Sequence, residues 1–399
     1  MLSIVPSGLP AGIYWRLSGF YFFYFIVLGT MVPYLSLYLK SLGLDAWHIG
    51  LLTSVMLSTK IVAPNLWGWL ADKSGKRMLI IRMGCLLAVL FFSGIFFWKG
   101  TMALAIIIFC YSFFWNAVLA QFEAVTLFYL GSKSEHYSRI RLWGSIGFII
   151  AVAIFGWLFD HVSLDVFPAI IVSGLLAIFL SSWLVVDPPV IPHVIAAIHK
   201  TSEEKSFFQS LRQPHMVALF SVCFLMVLSH GPFYAFFSLL MERYQHTRTT
   251  IGLLWSLGVL AEVGIFWIMH RLLPFWGVRQ LLLVSLAVTA VRWLLLALFP
   301  QLLSVMIVAQ TMHAFSFAAF HSAAIEAVRR FSSRTQSGQA QAFYSAVGYG
   351  AGNALGALLS GWLWRYDPAL PYLFSALVCV AGFFVVWRHL PAGIFAGEQ

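Results

Sequence analysis

The chain has 399 residues, 61% of them hydrophobic and only 10% charged, against roughly 45–50% and 25% for a soluble globular domain. That balance excludes an ordinary water-soluble enzyme. The formal net charge of +10 does not indicate nucleic acid either, because the 24 Lys and Arg are scattered between apolar runs instead of forming one phosphate-tracking face.

A bilayer crossing needs roughly 20 apolar residues. Apolar stretches bounded by charges, Gly, Pro or short polar clusters predict twelve spans, at residues 15–39, 47–70, 78–98, 102–130, 141–160, 165–186, 214–241, 250–271, 280–299, 301–328, 340–364 and 370–390. The first run is too long for a signal-peptide core and lacks a charged start followed by a small-residue cleavage site, so it is expected to be the first span, with no targeting segment removed. Cys85, Cys110, Cys223 and Cys379 lie inside apolar runs without CxxC spacing and read as small core residues; neither a disulfide framework nor a metal site is indicated. The longest polar stretch, 187–213, contains Pro188, Pro189, Pro192, Glu203, Glu204 and Lys205. It predicts a linker between two six-helix bundles, 1–186 and 214–399. With both termini in the cytoplasm, seventeen of the 24 basic residues fall inside, including Lys133, Arg141, Lys200 and Arg334. Lys40, Lys99, Arg243, Arg248 and Arg365 fall outside, and Lys60 and Arg292 fall in the hydrocarbon. The positive-inside bias therefore predicts that orientation.

An internal repeat supports the division into halves. Ile49-Gly50-Leu51-Leu52 returns as Ile251-Gly252-Leu253-Leu254, Glu123-Ala124-Val125 as Glu326-Ala327-Val328, and Gly156-Trp157-Leu158-Phe159 is echoed by Gly361-Trp362-Leu363-Trp364. These offsets of 202 to 205 place each pair on corresponding helices of the two halves. Parallel repeats about an axis normal to the membrane are a transporter signature.

The loop after the second span reads Gly68-Trp69-Leu70-Ala71-Asp72-Lys73-Ser74-Gly75-Lys76-Arg77. Gly68 lets two helices approach closely, Asp72 offers a carboxylate to a helix N-terminus or a basic partner, and Gly75 permits a tight turn before Lys76 and Arg77. Spacing, residue types and position match the G-x-L-A-D-x-x-G-[RK]-[RK] signature of the major facilitator superfamily, which the chain resembles. The corresponding loop of the second half, His270 to Arg279, keeps only Gly277 and Arg279, with Pro274 where Asp72 would stand. The conformational lock is thus expected to be asymmetric.

The resemblance narrows with Arg141-Leu142-Trp143-Gly144-Ser145, with Leu254-Trp255-Ser256-Leu257-Gly258-Val259-Leu260-Ala261-Glu262-Val263, with Val291-Arg292-Trp293 and with Gln341-Ala342-Phe343-Tyr344-Ser345-Ala346-Val347. These segments are similar to the phenylpropionate/proton symporter family, over nearly the whole chain. The resemblance implies an all-α integral membrane protein of two pseudo-symmetric six-helix bundles. It also implies import of a small organic solute, an aromatic monocarboxylate such as 3-phenylpropionate, together with a proton by alternating access. The setting it implies is a bacterial inner membrane, with a proton gradient in place of a cofactor and a monomer as the working unit. A sugar or nucleoside symporter is the alternative within transport, and a non-transporting solute sensor the alternative outside it. No Walker-type loop, H-E-x-x-H or G-x-S-x-G occurs, so neither ATP drive within this chain nor an intramembrane enzyme is expected.

Lys60, Glu123, Glu262 and Arg292 are ionisable residues within predicted spans. A charge at mid-bilayer costs ~2.5–3.5 kcal/mol on insertion scales, so a partner or an aqueous cavity is expected for each. Lys60 and Glu262 are 202 residues apart and occupy equivalent positions in the two halves. A solute carboxylate could compete for Lys60 or Arg292, leaving Glu262 less well paired and ready to take a proton. The competing explanation is a set of fixed ion pairs that only brace the bundle. Glu123 is a further proton candidate, although its mate Glu326 lies beside Arg329 near the end of its span. His313 is an intramembrane candidate for proton relay, as are His230 and His321; the competing fate of each is a neutral imidazole bonded to a neighbouring helix. Tyr24, Trp115, Trp143, Trp255 and Tyr344 are the aromatic candidates for a solute wall, with Asn116 and Asn353 as polar ones. Gly348-Tyr349-Gly350-Ala351-Gly352 should let the eleventh span approach a neighbour closely.

Overall fold

The computed structural model describes residues 10–131, 136–187, 207–333 and 336–390. Most of the expected linker, including Pro188, Pro189, Pro192, Glu203, Glu204 and Lys205, lies outside them, as do Lys133, Lys200 and Arg334.

All regular structure among the described residues is helical. The first half contains α1 (Ala11–Ser41), α2 (Ala46–Ser74), α3 (Arg77–Phe96), α4 (Thr101–Leu130), α5 (Tyr137–His161) and α6 (Leu164–Ser182). The second half begins with α7 (Pro214–Arg243), which passes through His230. The next helical unit, Arg248–Leu298, has 51 residues, roughly 75 Å at 1.5 Å per residue, more than twice the ~30 Å hydrocarbon thickness. It turns back at Gly277, whose φ of 74° and ψ of 163° no helix accommodates; residues 248–276 form α8 and 278–298 form α9. Two further crossings are α10 (Leu303–Phe331) and α12 (Leu370–His389). Between them α11 runs as Ser337–Tyr344, a π-helical stretch Ser345–Gly352 and Asn353–Trp364. Among the described residues twelve helical crossings result, counting the Arg248–Leu298 unit as two and the interrupted α11 as one, as the hydropathy pattern predicts.

Backbone polar groups find no water in hydrocarbon, so each crossing satisfies them internally and the bundle is held by side-chain packing. α1 packs on α5 and α6, and α2 and α3 on α4; in the second half α12 packs on α7 and on the Arg248–Leu298 unit. Tyr21, Tyr34, Tyr38, Phe122 and Trp293 are fully enclosed, whereas Phe97, Trp157, Trp267 and Leu377 project outward, as a lipid-facing surface requires.

The halves meet at the face opposite the one where α1 begins. There the glycines of the sequence repeat are the contact points. A Cβ on Gly50 of α2 would lie 2.7 Å from the Gly361 Cα of α11, and one on Gly252 of α8 would lie 2.1 Å from the Val152 carbonyl oxygen of α5. A Cβ on Gly156 would in turn stand 2.6 Å from the Arg248 carbonyl oxygen. α2 with α11 and α8 with α5 are thus equivalent seams, and the repeated tetrads mark them. Polar contacts clasp the same face. Lys40 Nζ lies 2.8 Å from Glu242, while Asp160 accepts from the Arg248 and Thr249 backbone N–H groups at 2.8 and 2.9 Å. This carboxylate from one half caps the α8 N-terminus of the other. The glycine run of α11 also permits close approach, since a Cβ on Gly350 would lie 2.7 Å from Ile61 of α2.

Candidate functional site

A cavity of about 320 Å³ lies between the halves, within the range of small-molecule sites. One stripe of each surrounding helix faces it, at the spacing of a helix face. α2 contributes Thr53, Met56, Leu57 and Lys60; α5 contributes Arg141, Ser145 and Phe148; α8 contributes Trp255, Val259 and Glu262. α1 supplies a mainly apolar strip that includes Phe25, and α7 supplies Tyr234. Opposite them stand His313 and Phe317 of α10 and Tyr349 and Asn353 of α11. Phe317 and Tyr349 both sit on π-helical segments, a geometry often found at functional sites.

The chemistry is divided between the halves. The first provides two cations, Lys60 and Arg141, and the second an acid and a base, with His313 Nε2 2.7 Å from Glu262 Oε1. Both members of that pair are largely enclosed, their side chains 5% and 15% exposed. The pair continues away from the cavity: His313 Nδ1 lies 3.1 Å from Ser316 Oγ, which accepts from Arg292 Nη1 at 3.2 Å. Arg292 is completely enclosed, donates to the Ala309 carbonyl and lies over the rings of Phe233 and Trp293 at 4.3 and 4.4 Å.

Lys60, Glu262 and His313 of the expected set therefore line the cavity, with Trp255 and Asn353. The others are elsewhere. Arg292 stands behind the wall, and Glu262 is engaged by His313 instead of by Lys60 or Arg292. Trp143 donates to the Tyr14 hydroxyl at 2.9 Å; it lies about 200° around α5 from Arg141, so both cannot face the cavity. α4 contributes no residue to the wall. Accordingly Trp115 stacks between Tyr24 and Tyr111, Asn116 donates to the Thr59 hydroxyl at 2.8 Å, and Glu123 accepts from Tyr137 at 3.0 Å. Tyr24 is occupied by the Trp115 stack, leaving Phe25, one position on, at the cavity. Tyr344 bonds His321 Nδ1 at 2.9 Å, leaving Tyr349 as the wall tyrosine of α11. Arg141, Tyr234 and Tyr349, with the hydroxyl residues Ser36, Thr53 and Ser145, are the polar wall residues that the sequence reading passed over. The spacing of Arg141, Ser145 and Phe148 was the available signal, but Arg141 sits near a helix start and reads as a surface anchor.

Residues 14–374 match the MFS_1 like family. The chain belongs to that family. It is a multi-pass transporter of the major facilitator superfamily and not an enzyme. It is 27% identical over 377 residues to the probable 3-phenylpropionic acid transporter of Escherichia coli K12, covering 93% of this chain and 97% of that one. It is also 28% identical over 387 residues to the maltose permease of Geobacillus stearothermophilus, covering 95% of each. The crystal structure of the nucleoside transporter NupG superposes with a TM-score of 0.77 at 16% identity, covering 97% of this chain and 100% of that one.

The superfamily motif of this transporter forms a compact turn at the face where α1 begins. Asp72 pairs with Arg77, which also donates to Gln121 Oε1 of α4 at 2.6 Å. Gly68 sits against the same Gln121, where a Cβ would come within 3.2 Å. Gly75 closes α2 with φ 66°, and Lys76 leads into α3. Gly277, 202 residues on, is the positive-φ glycine of the equivalent turn, and Arg279 donates to the Leu390 and Trp387 carbonyls. Among the described residues only the first-half turn contains an ion pair, so the asymmetry expected from Pro274 extends to the contacts. Among the described residues, the Asp72 pair lies within its own half and joins no residue of the other.

Proposed function

We propose that this transporter imports a small organic acid, of the aromatic monocarboxylate class that includes 3-phenylpropionate, together with a proton. The setting is a bacterial inner membrane with both termini cytoplasmic. The observation that carries this reading is the placement of Lys60 and Arg141 on one wall of a cavity whose other wall holds the Glu262–His313 pair. Cations that have no carboxylate at ion-pair distance among the described residues suit an anionic solute, and an acid–base pair at 2.7 Å suits a transferable proton. The aromatic wall residues, Phe25, Phe148, Trp255 and Phe317, suit a ring.

Ser316 supplies the switch. Arg292 only donates, so Ser316 Oγ accepts from it. When the Ser316 hydroxyl donates to the His313 carbonyl oxygen, 3.1 Å away, His313 Nδ1–H donates to Ser316. One proton is then shared between His313 Nε2 and Glu262. When the pair gives up one proton, the shared one stays on Nε2, facing the Glu262 carboxylate, the Nδ1 proton is the one released, and the Ser316 hydroxyl turns to donate to the bare Nδ1. The imidazole thus changes tautomer without losing its contacts. With its proton the pair is neutral or an internal ion pair; without it the pair carries one negative charge. Proton uptake therefore makes the cavity more positive and tightens anion binding, and by linkage the anion tightens proton binding to the same degree. The unit proposed is a monomer that uses the proton gradient and no bound cofactor. The motif residues Gly68, Asp72, Gly75, Lys76 and Arg77 would steady one conformation of the cycle.

The test is uptake into proteoliposomes of 3-phenylpropionate, maltose and a nucleoside, with and without an imposed proton gradient. Gradient-dependent accumulation of the acid alone is expected. Similarity to a maltose permease favours a sugar as the second reading, and accumulation of maltose without the acid would establish it. Binding without accumulation of any solute would mark a sensor.

A further inference from the structure

Arg141 is the fifth residue of α5, about 6 Å from the helix start at 1.5 Å per residue. A long cation so close to a helix end ordinarily leans back toward the N-terminus and carries its charge to the membrane surface. Arg141 runs the other way. Its guanidinium reaches forward along α5, lies 3.9 Å over the Phe25 ring of α1 and joins the cavity wall. The path passes Gly144, three positions on and therefore on the same face. A Cβ there would stand 2.7 Å from Arg141 Nη1 and 2.8 Å from Phe25 Cδ2, where ordinary contact begins near 3.4 Å. Lys60 needs no such room, because it sits at the middle of α2, far from either helix end.

A second glycine of the same face does different work. A Cβ on Gly147 would stand 2.4 Å from the Phe22 carbonyl oxygen, so Gly147 sets how closely the backbones of α1 and α5 approach. At Gly144 the atoms in the way are the tip of a flexible arginine and an aromatic ring. An added methyl displaces those side chains while the helices keep their contact, and the guanidinium then takes the usual lean, away from the cavity. We propose that Gly144 is a positioning residue: its missing side chain is the slot that holds Arg141 at the cavity, and through Arg141 it selects a cargo with an acidic group. This rests on the reading of the protein as an importer of organic acids and names the residue that commits one of the two wall cations to that task.

The experiment titrates 3-phenylpropionate and its neutral amide into the purified full chain by calorimetry. Gly144→Ala is expected to weaken binding of the acid about tenfold or more, the scale of one charge-assisted contact, and to leave the amide nearly unchanged. In an Arg141→Gln background the same substitution should weaken the acid no further, because the group it displaces is already gone. Gly147→Ala is the contrast, since parting the two helices should weaken acid and amide alike. Phe25→Leu places no new atom in the slot and removes the ring under the guanidinium; it serves if Gly144→Ala does not fold, and should weaken the acid more than the amide. Acid binding unchanged by Gly144→Ala, equal losses of acid and amide in Gly144→Ala or in Phe25→Leu, or a further loss in the Arg141→Gln background would overturn the inference and leave the acid-importer reading intact. Wild-type protein that binds the amide as tightly as the acid, or binds neither, would remove the acid-importer reading and this inference together.

Discussion

Gly252→Val tests whether the seam between α5 and α8 keeps one face of the transporter shut. The glycine Cβ position is 2.1 Å from the Val152 carbonyl oxygen and 2.7 Å from the Tyr34 hydroxyl, where ordinary contact begins near 3.4 Å. α8 must therefore withdraw from α5 by more than an ångström. Withdrawal also strains the Asp160 contacts to the Arg248 and Thr249 N–H groups, four and three residues before Gly252. Overpacking of this kind costs about 1–3 kcal/mol, and the cost falls only on the conformation in which the seam is closed. The population closed on this face should drop roughly 5- to 150-fold relative to the alternative. Spin labels at Ser41→Cys and Thr247→Cys, on a cysteine-free background, would report the distance between the halves at this face. A longer and broader distance distribution is expected, with a loss of gradient-driven uptake. Gly264→Val is the control, because a Cβ there meets nothing within 4 Å. Unchanged distances in Gly252→Val, or an equal change in the control, would show that the seam does not hold the face shut.

The remaining predictions concern the cavity. Glu262→Gln should abolish proton-driven accumulation while preserving part of the solute exchange, because the amide keeps the shape but not the transferable proton; accumulation at the wild-type rate would remove Glu262 from coupling. Lys60→Ala should weaken binding of an organic acid by about 1.5–3 kcal/mol, the worth of a charge-assisted contact, and leave its neutral amide isostere nearly unaffected; equal losses in calorimetry would point to a bracing role. Arg292→Ala, by contrast, should weaken acid and amide alike and lower the unfolding temperature, since Arg292 touches Ser316, Ala309 and two aromatic rings and not the cavity. Ser316→Ala should retain solute binding but slow proton-coupled uptake more than exchange; equal rates in both assays would exclude the hydroxyl switch.

The amino-acid sequence by itself determined the membrane class, the twelve crossings, the two halves and the Asp72–Gly75–Arg77 turn. Those features follow from local quantities: apolar run length against bilayer thickness, glycine at a left-handed position, and a repeat whose offset survives in the chain. It also singled out Lys60, Glu262 and His313, because a charge or imidazole within hydrocarbon needs a local reason to be there. Which neighbour satisfies each group was decided only by tertiary structure. Helix rotation sends Arg141 inward and Trp143 away, places Phe25 and not Tyr24 at the cavity, and keeps all of α4 out of the wall, so that Glu123, Trp115 and Asn116 are taken up in packing. Arg292 illustrates the same point. Its sequence position marks a buried cation, but two rings and the Ala309 carbonyl, from three helices, enclose it behind Ser316, and only their assembly reveals that it stands behind the Glu262–His313 pair instead of facing the cavity.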